Sequence, residues 1–532
     1  MRLNFLTENM IEDIALRLSP KQACEKELLK REILRGMGIT ESALNDWRIV
    51  KRSIDARKRN VIINLTVRVA TGDDMMVAPQ LNQTKFVEVE EDATRLIIVG
   101  AGPAGLFSAL KAIELGIRPI VIERGKDVDS RRLDIAKISR DGKINPVSNY
   151  CFGEGGAGAY SDGKLYTRSR KRGNVEEVLQ LLVQHGADSN ILIDAHPHIG
   201  SDKLPHVIKR IRETIIKSGG EVHFETTFKE LVVKNGEVKG VKTDKGEFQG
   251  EGVVLAIGHS AHDTYRELHK AGLKMESKGI AVGVRLEHPQ KLIDQLQYHS
   301  KEGRGRYLPA AEYNYVTQVE GRGVYSFCMC PGGVVIPAGS AEGELVVNGM
   351  SASARSGEKA NSGMVVEIRP GDIAGYERFG ELEMLKFQED LESSFFKESG
   401  DSIKAPAQRM IDFIERRKSE TLPSTSYAPG IHSADFNKLF PSFISGRLRD
   451  GFKDFGRKCN GFLTNEAILI GLESRTSSPL RIPRDKETLN HIIIRGLYPA
   501  GEGAGYAGGI VSAAVDGIRC VESFAKNKEK IE

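Results

Sequence analysis

Hydrophobic residues along this chain repeat with a period of two in some stretches and near 3.6 in others, and the two rhythms predict the elements. Asn60 to Val69 (NVIINLTVRV) alternates apolar and polar side chains and reads as a half-buried strand. Ahead of it, Met1 to Leu6 reads as a short strand and Met10 to Met37 as helix-rich. Ile39 to Ala43 then opens a further short helix with Thr40 as its cap. Leu96 to Val99 is a continuous apolar run of strand length. The helical spacing that follows it continues through Leu115 and stops at Gly116, and a second apolar run spans Pro119 to Ile122.

Further on, Leu204 to Ser218 carries apolar residues at helical spacing. A meander of strands with Asn-Gly and Lys-Gly turns runs from there to Gly258. From about residue 275 to 465 the chain is rich in short strands, with Gly-Gly and Pro-Gly turns between Val324 and Val347, then helical from Met384 to Lys397. From Glu466 the pattern returns to that of the first βαβ stretch, with strand-like AILIGLE and a strand end at Tyr498 to Ala500 leading into a Gly-rich turn and a helix.

Composition and charge narrow the reading. A chain of 532 residues holds two or three domains. A formal net charge of +4 gives no global electrostatic case for nucleic acid, so nucleic acid is not an expected partner. A local basic cluster, Lys51, Arg52, Arg57, Lys58 and Arg59, reads either as an RNA or acidic-partner site or as a solvated helix face with Asp55 pairing locally. No window reaches the roughly 18 apolar residues of a membrane span. The start, MRLNFLTENM, lacks a signal-peptide pattern, and six scattered cysteines suit a reducing compartment; a cytoplasmic protein is expected.

The chemistry begins in LIIVGAGPAGLFSALKAIELGIRPIVIER. Gly100, Gly102 and Gly105 form a G-x-G-x-x-G turn between strand and helix, followed by Pro103 and Ala104 in the helix's first turn, and Glu123 and Arg124 end the second strand. This is the dinucleotide-binding βαβ unit in its expected order. Gly100 permits the tight turn, Gly102 lets backbone approach a pyrophosphate, and Gly105 lets the helix lie close to the strand. The helix N-terminus holds phosphate charge, and Glu123 is placed to accept hydrogen bonds from ribose hydroxyls.

The motif alone does not separate FAD from NAD. The late segment GLYPAGEGAGYAGGIVSAAVDGI decides it by resemblance to the second FAD fingerprint of two-dinucleotide-binding-domain flavoproteins. That resemblance makes Gly501, Glu502, Gly508, Gly509 and Ile510 FAD contacts, with Glu502 at the ribityl and pyrophosphate region and the following helix aimed at the flavin N1 and C2 carbonyl. Ala256 and Gly258, in Ala-Ile-Gly, resemble the Ala-Thr-Gly signature of such domains, and Phe228 lies where a backbone contact meets adenine. FAD, held non-covalently, is the expected cofactor.

CFGEGGAGAYSDGKLYTR, residues 151 to 168, packs many small residues into one loop, so backbone there passes close to something flat or charged. Gly155, Gly156, Ala157, Ser161, Gly163 and Lys164 are the candidates to face the flavin, with Lys164 favouring a reduced anion. Arg131 is a candidate for the pyrophosphate, and Arg475 for an anionic substrate, since a guanidinium fork matches a carboxylate. A structural ion pair of Arg475 with Glu473 or Asp485 is the alternative. His196 and His198 have no third ligand at metal-site spacing, so no metal is expected. Cys328 and Cys330 form a C-x-C whose side chains would share one strand face, open to a disulfide, to half a metal site or to simple burial. No C-x-x-C or C-x4-C follows Glu123, which argues against a disulfide reductase of the glutathione or thioredoxin reductase type. No catalytic acid or base is assigned; Tyr506, Lys164, Glu473, His259 and His262 are all open.

The strings KRSIDARK, FGEGGAGAYSDGKL, HIGSDKL, SFCMCPGG, VVNGMSASAR, APAQR, ESRTSSPLRIPRD and GEGAGYAGG resemble the uncharacterised bacterial and plastid FAD-dependent dehydrogenases with an N-terminal α/β extension. Ala159-Tyr160 departs from the Thr-Phe expected there. The resemblance implies an α/β fold with an α+β second domain: a glutathione-reductase-like, Rossmann-type FAD domain interrupted by a second domain. The expected division is a module at 1–92, the FAD domain at 93–274 and 466–532, and a substrate or cap domain at 275–465. The expected activity is hydride transfer at flavin N5 with a small-molecule substrate and an unidentified electron donor or acceptor. No second complete G-x-G-x-x-G marks an NADPH domain, so NAD(P)H enters only as a transient reductant. An RNA-modifying flavoprotein docking tRNA through its basic module and a non-catalytic, redox-sensing FAD protein are the alternatives.

Overall fold

The computed structural model describes residues 10–72, 81–167 and 173–529, and the expected strand at Met1 to Leu6 lies outside them. The first sheet has three antiparallel strands in the order Met10–Leu18, Ile62–Thr71, Leu44–Asp55. Two expectations are corrected here. Met10–Leu18 is a strand, because Ile14, Leu16 and Leu18 turn inward while Ala15 and Arg17 stay exposed, a period of two. The basic cluster begins on the Leu44–Asp55 strand and continues into the turn after it, so it is not a helix face. One helix, Lys26–Met37, buries Leu29 and Ile33 against Leu18, Leu65 and Val67 of the sheet.

A parallel five-stranded sheet follows, ordered Leu497–Pro499, Gly252–Leu255, Arg95–Val99, Arg118–Ile122, Glu221–His223. Apart from the half-buried edge strand Glu221–His223, its strands are apolar on both faces because both are covered. On one face pack the helices Pro103–Glu114, Leu204–Lys217 and Ile510–Glu529. The first and last of these touch backbone to backbone: a Cβ on Gly517 would sit 2.2 Å from the Ala104 carbonyl oxygen. The other face carries a three-stranded meander, Phe228–Lys234, Glu237–Thr243 and Gly246–Gln249. Its first turn holds Asn235 and Gly236 both at positive φ (51° and 73°), the type I′ conformation that Asn-Gly favours.

The third large unit is a seven-stranded sheet in the order Val316–Val319, Arg322–Cys330, Lys359–Ile368, Ile280–Pro289, Ile468–Glu473, Ala405–Arg409, Ile431–Ser433. All its pairs are antiparallel except the last. Helices Glu383–Glu398 and Ser442–Lys458 seal it with a cluster that includes Phe395, Phe436, Phe440 and Phe452, each of which contributes about 1.5–3 kcal/mol on burial. The Ile468–Glu473 strand, expected with the returning nucleotide-binding stretch, is instead an interior strand of this sheet, paired with Ile280–Pro289 and Ala405–Arg409. Its uninterrupted apolar run fits an interior position in either sheet, so the pattern did not decide between them. The chain leaves and re-enters the parallel-sheet unit side by side, Glu276–Ser277 pairing antiparallel with Leu480–Arg481.

Candidate functional site

Both chain ends converge on one cavity of about 370 Å³. On one side the Arg95–Val99 strand ends in Gly100 at φ 107°, where a Cβ would lie 2.4 Å from the Ala256 carbonyl oxygen. A Cβ on Gly105 would meet the Gly100 carbonyl oxygen at 1.8 Å, so strand and helix approach as closely as glycine allows. Gly102 stands at the helix N-cap with no side chain capping the first turn, which leaves the positive end of the helix directed at the cavity. A Cβ on Gly102 meets no atom nearer than the Gly156 Cα, 3.8 Å away; the space beside it is open.

Glu123 ends the second strand at the cavity wall. Its Oε2 accepts from the Ala101 N–H (2.8 Å), and its Oε1 from those of Gly125 (2.9 Å) and Gly153 (3.0 Å). Three of roughly four acceptor positions are therefore used to tie three loops together, and one remains for a ligand. Beside it, Arg124 stacks 4.4 Å from the Phe152 ring centroid and pairs with Asp263 at 3.0 Å. Thr226, Phe228 and Ile257 complete this end.

At the other end, Glu502, Gly508, Gly509 and Ile510 bring the start of the last helix to the same cavity. The turn is held from behind by Asp516, whose Oδ2 accepts from the Gly501 N–H at 2.8 Å while Arg484 closes on the same carboxylate at 2.5 Å. Glu502 Oε2 lies 3.0 Å from His259 Nδ1. Burial works against the Glu502 charge, but the His259 contact, the Gly509 N–H and the Lys278 charge together outweigh it and hold the carboxyl below its ordinary range.

The glycine loop crosses between these ends. Gly156, Ala157, Ser161, Gly163 and Lys164 line the cavity with Gly100, Gly102, Pro103, Ala104, Ala256 and Gly258. Lys164 Nζ donates to the Met329 carbonyl and stands 3.1 Å from Asp162, which is itself paired with Arg355 at 2.5 Å. Burial opposes the Lys164 charge, yet the two cysteine sulfurs beside it, Cys330 and Cys328, and Asp162 raise its pKa. Three of the recognised strings meet here: the His198 ring nitrogen contacts the Ser353 carbonyl at 3.1 Å, and Asp202 accepts from the Ser353 N–H at 2.7 Å.

Four expected contacts do not reach the cavity wall. Gly105, Gly155 and Gly501 face inward, where a Cβ would meet the Gly100 carbonyl oxygen, the Ile208 side chain and the Ala104 Cβ, respectively. Arg131 is fully buried and spends its guanidinium on the carbonyls of Asn149 (2.8 Å), Tyr150 (2.9 Å) and Glu154 (2.7 Å). It pins the glycine loop and does not line the cavity.

Arg475 lines the cavity, but its nitrogens are taken. Nε and Nη2 meet the two oxygens of Glu392 at 3.1 and 2.8 Å, Nη2 reaches Glu344 at 2.6 Å, and Nη1 donates to Ser340 Oγ at 2.7 Å. The partners are neither Glu473 nor Asp485; Glu473 pairs with Arg285 at 3.1 Å. His262, Glu344 and Glu392 do bring donor atoms within 4.8 Å of one another, with the Arg475 guanidinium already supplying the positive charge they share. His196 pairs with Glu312, away from His198's partner. Sequence reasoning missed Asp162, Phe327, Asn348 and Thr476 in the lining; all four lie within the strings that carry the family resemblance, which have no spacing rule.

Comparison with known proteins bears on this geometry. Residues 279–476 match the profile of the FAD-dependent protein C-terminal domain-like family, residues 176–291 that of pyridine nucleotide-disulphide oxidoreductases, and residues 10–70 a domain of unknown function. An uncharacterised protein of Clostridium beijerinckii is 41% identical over 512 residues, 93% of this chain and 95% of that one. The chain belongs to a family of FAD-dependent oxidoreductases. Among solved structures, a geranylgeranyl bacteriochlorophyll reductase-like protein of Thermoplasma acidophilum is similar at 14% identity, with 82% of this chain and 79% of that one covered and a TM-score of 0.35. The flavin-dependent brominase Bmp2 is similar at 13% identity over 82% and 79%, with a TM-score of 0.37. As a member of this family the chain is an FAD-dependent oxidoreductase with a mixed α/β, Rossmann-type fold. Among the described residues no helix is long and apolar enough to cross a membrane.

Proposed function

We propose that this enzyme catalyses hydride transfer between FAD and a small substrate that enters from the side of the seven-stranded sheet. The observation that carries the reading is one cavity joining two glycine turns, Gly100–Gly105 and Gly508–Ile510, from opposite ends of the chain. Gly102, Pro103 and Ala104 hold the pyrophosphate through open backbone and the helix N-terminus. Glu123 offers its remaining acceptor position to a ribose hydroxyl, and Arg124, Phe152 and Phe228 flank the adenine. Gly156, Ala157, Ser161 and Lys164 face the isoalloxazine, while the helix from Ile510 directs its positive end at the ring edge that gains charge.

Bound FAD supplies a hydride-accepting and hydride-donating centre at its flavin N5. The chain's own contribution is position and charge. Lys164 brings a fixed cation to the cavity, and Glu502, held ionised by His259, anchors the ribityl end. Phe327 of the seven-stranded sheet lines, with Asn348 and Thr476 from segments beside it, the part of the cavity where a substrate meets the flavin. Arg475 organises this wall through Glu344 and Glu392 rather than binding the substrate itself. On this reading the working domain division is 1–92, 93–274 with 466–532, and 275–465, the boundary at 465 moving toward residue 480, where the chain re-enters the parallel-sheet unit.

NAD(P)H, electron carriers and quinones are the donor and acceptor classes to test. An anaerobic screen of each against purified protein, followed as bleaching and recovery of the flavin band, is the experiment. A donor that bleaches the band within seconds and an acceptor that restores it support turnover. A flavin that no donor reduces at a useful rate refutes it and leaves a ligand-binding role.

A further inference from the structure

Two thiols stand where the seven-stranded sheet meets the cavity, and the proposed hydride chemistry leaves them unused. Cys328 and Cys330 end the Arg322–Cys330 strand, whose register against Lys359–Ile368 slips at this point. Phe327 faces Gly363 and Cys330 faces Asn361, so three steps on one strand match two on the other. The bulge sets Cys328 at φ 47°, a left-handed conformation uncommon for any residue but glycine. It also brings Cys330 Sγ back over its neighbour, where it donates to the Cys328 carbonyl oxygen at 3.4 Å. Cys328 lines the cavity and Cys330 is buried behind it.

Two cations close on the pair. Arg285 Nη2 lies 3.3 Å from Cys330 Sγ and 2.6 Å from the Cys328 carbonyl oxygen, and Lys164 Nζ lies 4.0 Å from Cys330 Sγ. Arg285 is fixed by Asn361 (2.8 Å) and Glu473 (3.1 Å), and Lys164 belongs to the loop placed against the flavin. The acids near them share these cations, Glu473 pairing with Arg285 and Asp162 with both Lys164 and Arg355. The neighbouring Cys330 thiol and the Lys164 and Arg285 charges hold the Cys328 thiol well below its ordinary range, while Cys328 and burial hold the Cys330 thiol well above it. A thiolate at the cavity wall with a resolving thiol behind it is the arrangement of a dithiol redox centre.

We propose that Cys328 and Cys330 form a redox-active dithiol that exchanges two electrons with the flavin and passes them to or from a small disulfide. The proposal rests on the flavin placement given above. In the reducing direction the Cys328–Cys330 disulfide takes one hydride equivalent from reduced flavin. The S–S bond breaks, leaving a thiolate at Cys328 and a thiol at Cys330. The Cys328 thiolate then attacks an external disulfide, forming a mixed disulfide and releasing one thiolate. Cys330, giving up its proton, attacks Cys328 Sγ, which re-forms the protein disulfide and releases the second thiol.

The test has two parts on the full-length protein. Pre-reduced protein, incubated with oxidised glutathione and then alkylated, is read by mass spectrometry of the tryptic peptide covering residues 323–355. An internal disulfide is expected, 2 Da lighter, unalkylated and reversed by dithiothreitol. In Cys330→Ser the same treatment is expected to trap glutathione on Cys328. Anaerobic dithionite titration of the oxidised holoenzyme is expected to take two electrons per chain more than Cys328→Ser or Cys330→Ser, with melting curves showing that the variants fold. Yellow protein whose peptide keeps both thiols free, or equal electron uptake in wild type and folded variants, overturns the dithiol and leaves the flavin placement standing. A disulfide that forms in protein unable to bind FAD overturns the flavin link together with the placement.

Discussion

Arg475 and Glu392 face each other in a two-point contact, Nε to Oε1 at 3.1 Å and Nη2 to Oε2 at 2.8 Å, both side chains out of water at the cavity wall. A buried pair of this kind adds little net stability as a pair, but removing one partner strands the other. Arg475→Ala leaves Glu392 and Glu344 uncompensated and is expected to cost about 3–5 kcal/mol in denaturant unfolding. A variant that unfolds like wild type, with only a raised KM, would return Arg475 to the role of substrate anchor.

Gly102 and Gly105 belong to the same motif, yet substitutions at the two sites should behave differently. Gly102→Ala places its methyl in open space and is expected to leave apo-protein stability within about 1 kcal/mol of wild type. It intrudes where the pyrophosphate is proposed to lie, so FAD affinity should fall by about tenfold or more. Gly105→Ala collides with the Gly100 carbonyl and should lower both stability and affinity. Calorimetric FAD titration with parallel melting curves separates the two.

Glu154 is fully buried, accepts from the Val128 N–H at 2.8 Å and lies 3.3 Å from Arg212. Burial pushes its carboxyl up to about 7, the Val128 and Arg212 contacts only partly opposing it. The folded state thus holds this proton more tightly than the unfolded chain, where the carboxyl titrates near about 4.3. Its contribution to stability is fully present below that value, declines as pH rises toward about 7, and is level above it. Unfolding curves at intervals from pH 5 to pH 8 should show this decline in wild type and a flatter profile in Glu154→Gln.

The basic cluster is already partly spent. Arg52 makes a two-point contact with Asp194, at 2.6 and 3.0 Å, and Arg57 pairs with Asp55 at 2.7 Å. Trp47, the one aromatic nearby that could stack on a base, packs against the N-terminal core. Immobilised tRNA is therefore expected to retain no more of the wild-type chain at about 150 mM salt than of a Lys51→Ala, Lys58→Ala double variant. Salt-sensitive retention lost in that variant would favour the RNA-modifying alternative.

The nucleotide-binding stretch was readable because its physics is local. Gly100, Gly102, Gly105 and Glu123 lie within a span in which each residue's role follows from the turn it must make. The C-terminal Gly508–Ile510 turn was readable only by resemblance, and so was its convergence with the first. Arg131 and Arg475 misled for a common reason: a guanidinium advertises charge, while the acceptors that consume it, the carbonyls of Asn149 and Tyr150 or the carboxylates of Glu392 and Glu344, lie up to 131 residues away in sequence. Met10–Leu18 misled because a short alternating run beside a helical one shares its composition. The relation of Cys328 to Cys330 depends on a register slip that no spacing rule encodes.

The central claim is that one FAD spans the cavity between Gly102 and Gly508. Its most direct test is the flavin content of purified full-length protein, released by heat or acid precipitation and counted by absorbance, before and after incubation with excess FAD. One FAD per chain in the supernatant, cut sharply in Gly102→Ala, is the predicted result. Colourless protein that takes up no flavin on incubation, or flavin content indifferent to Gly102→Ala, would contradict it.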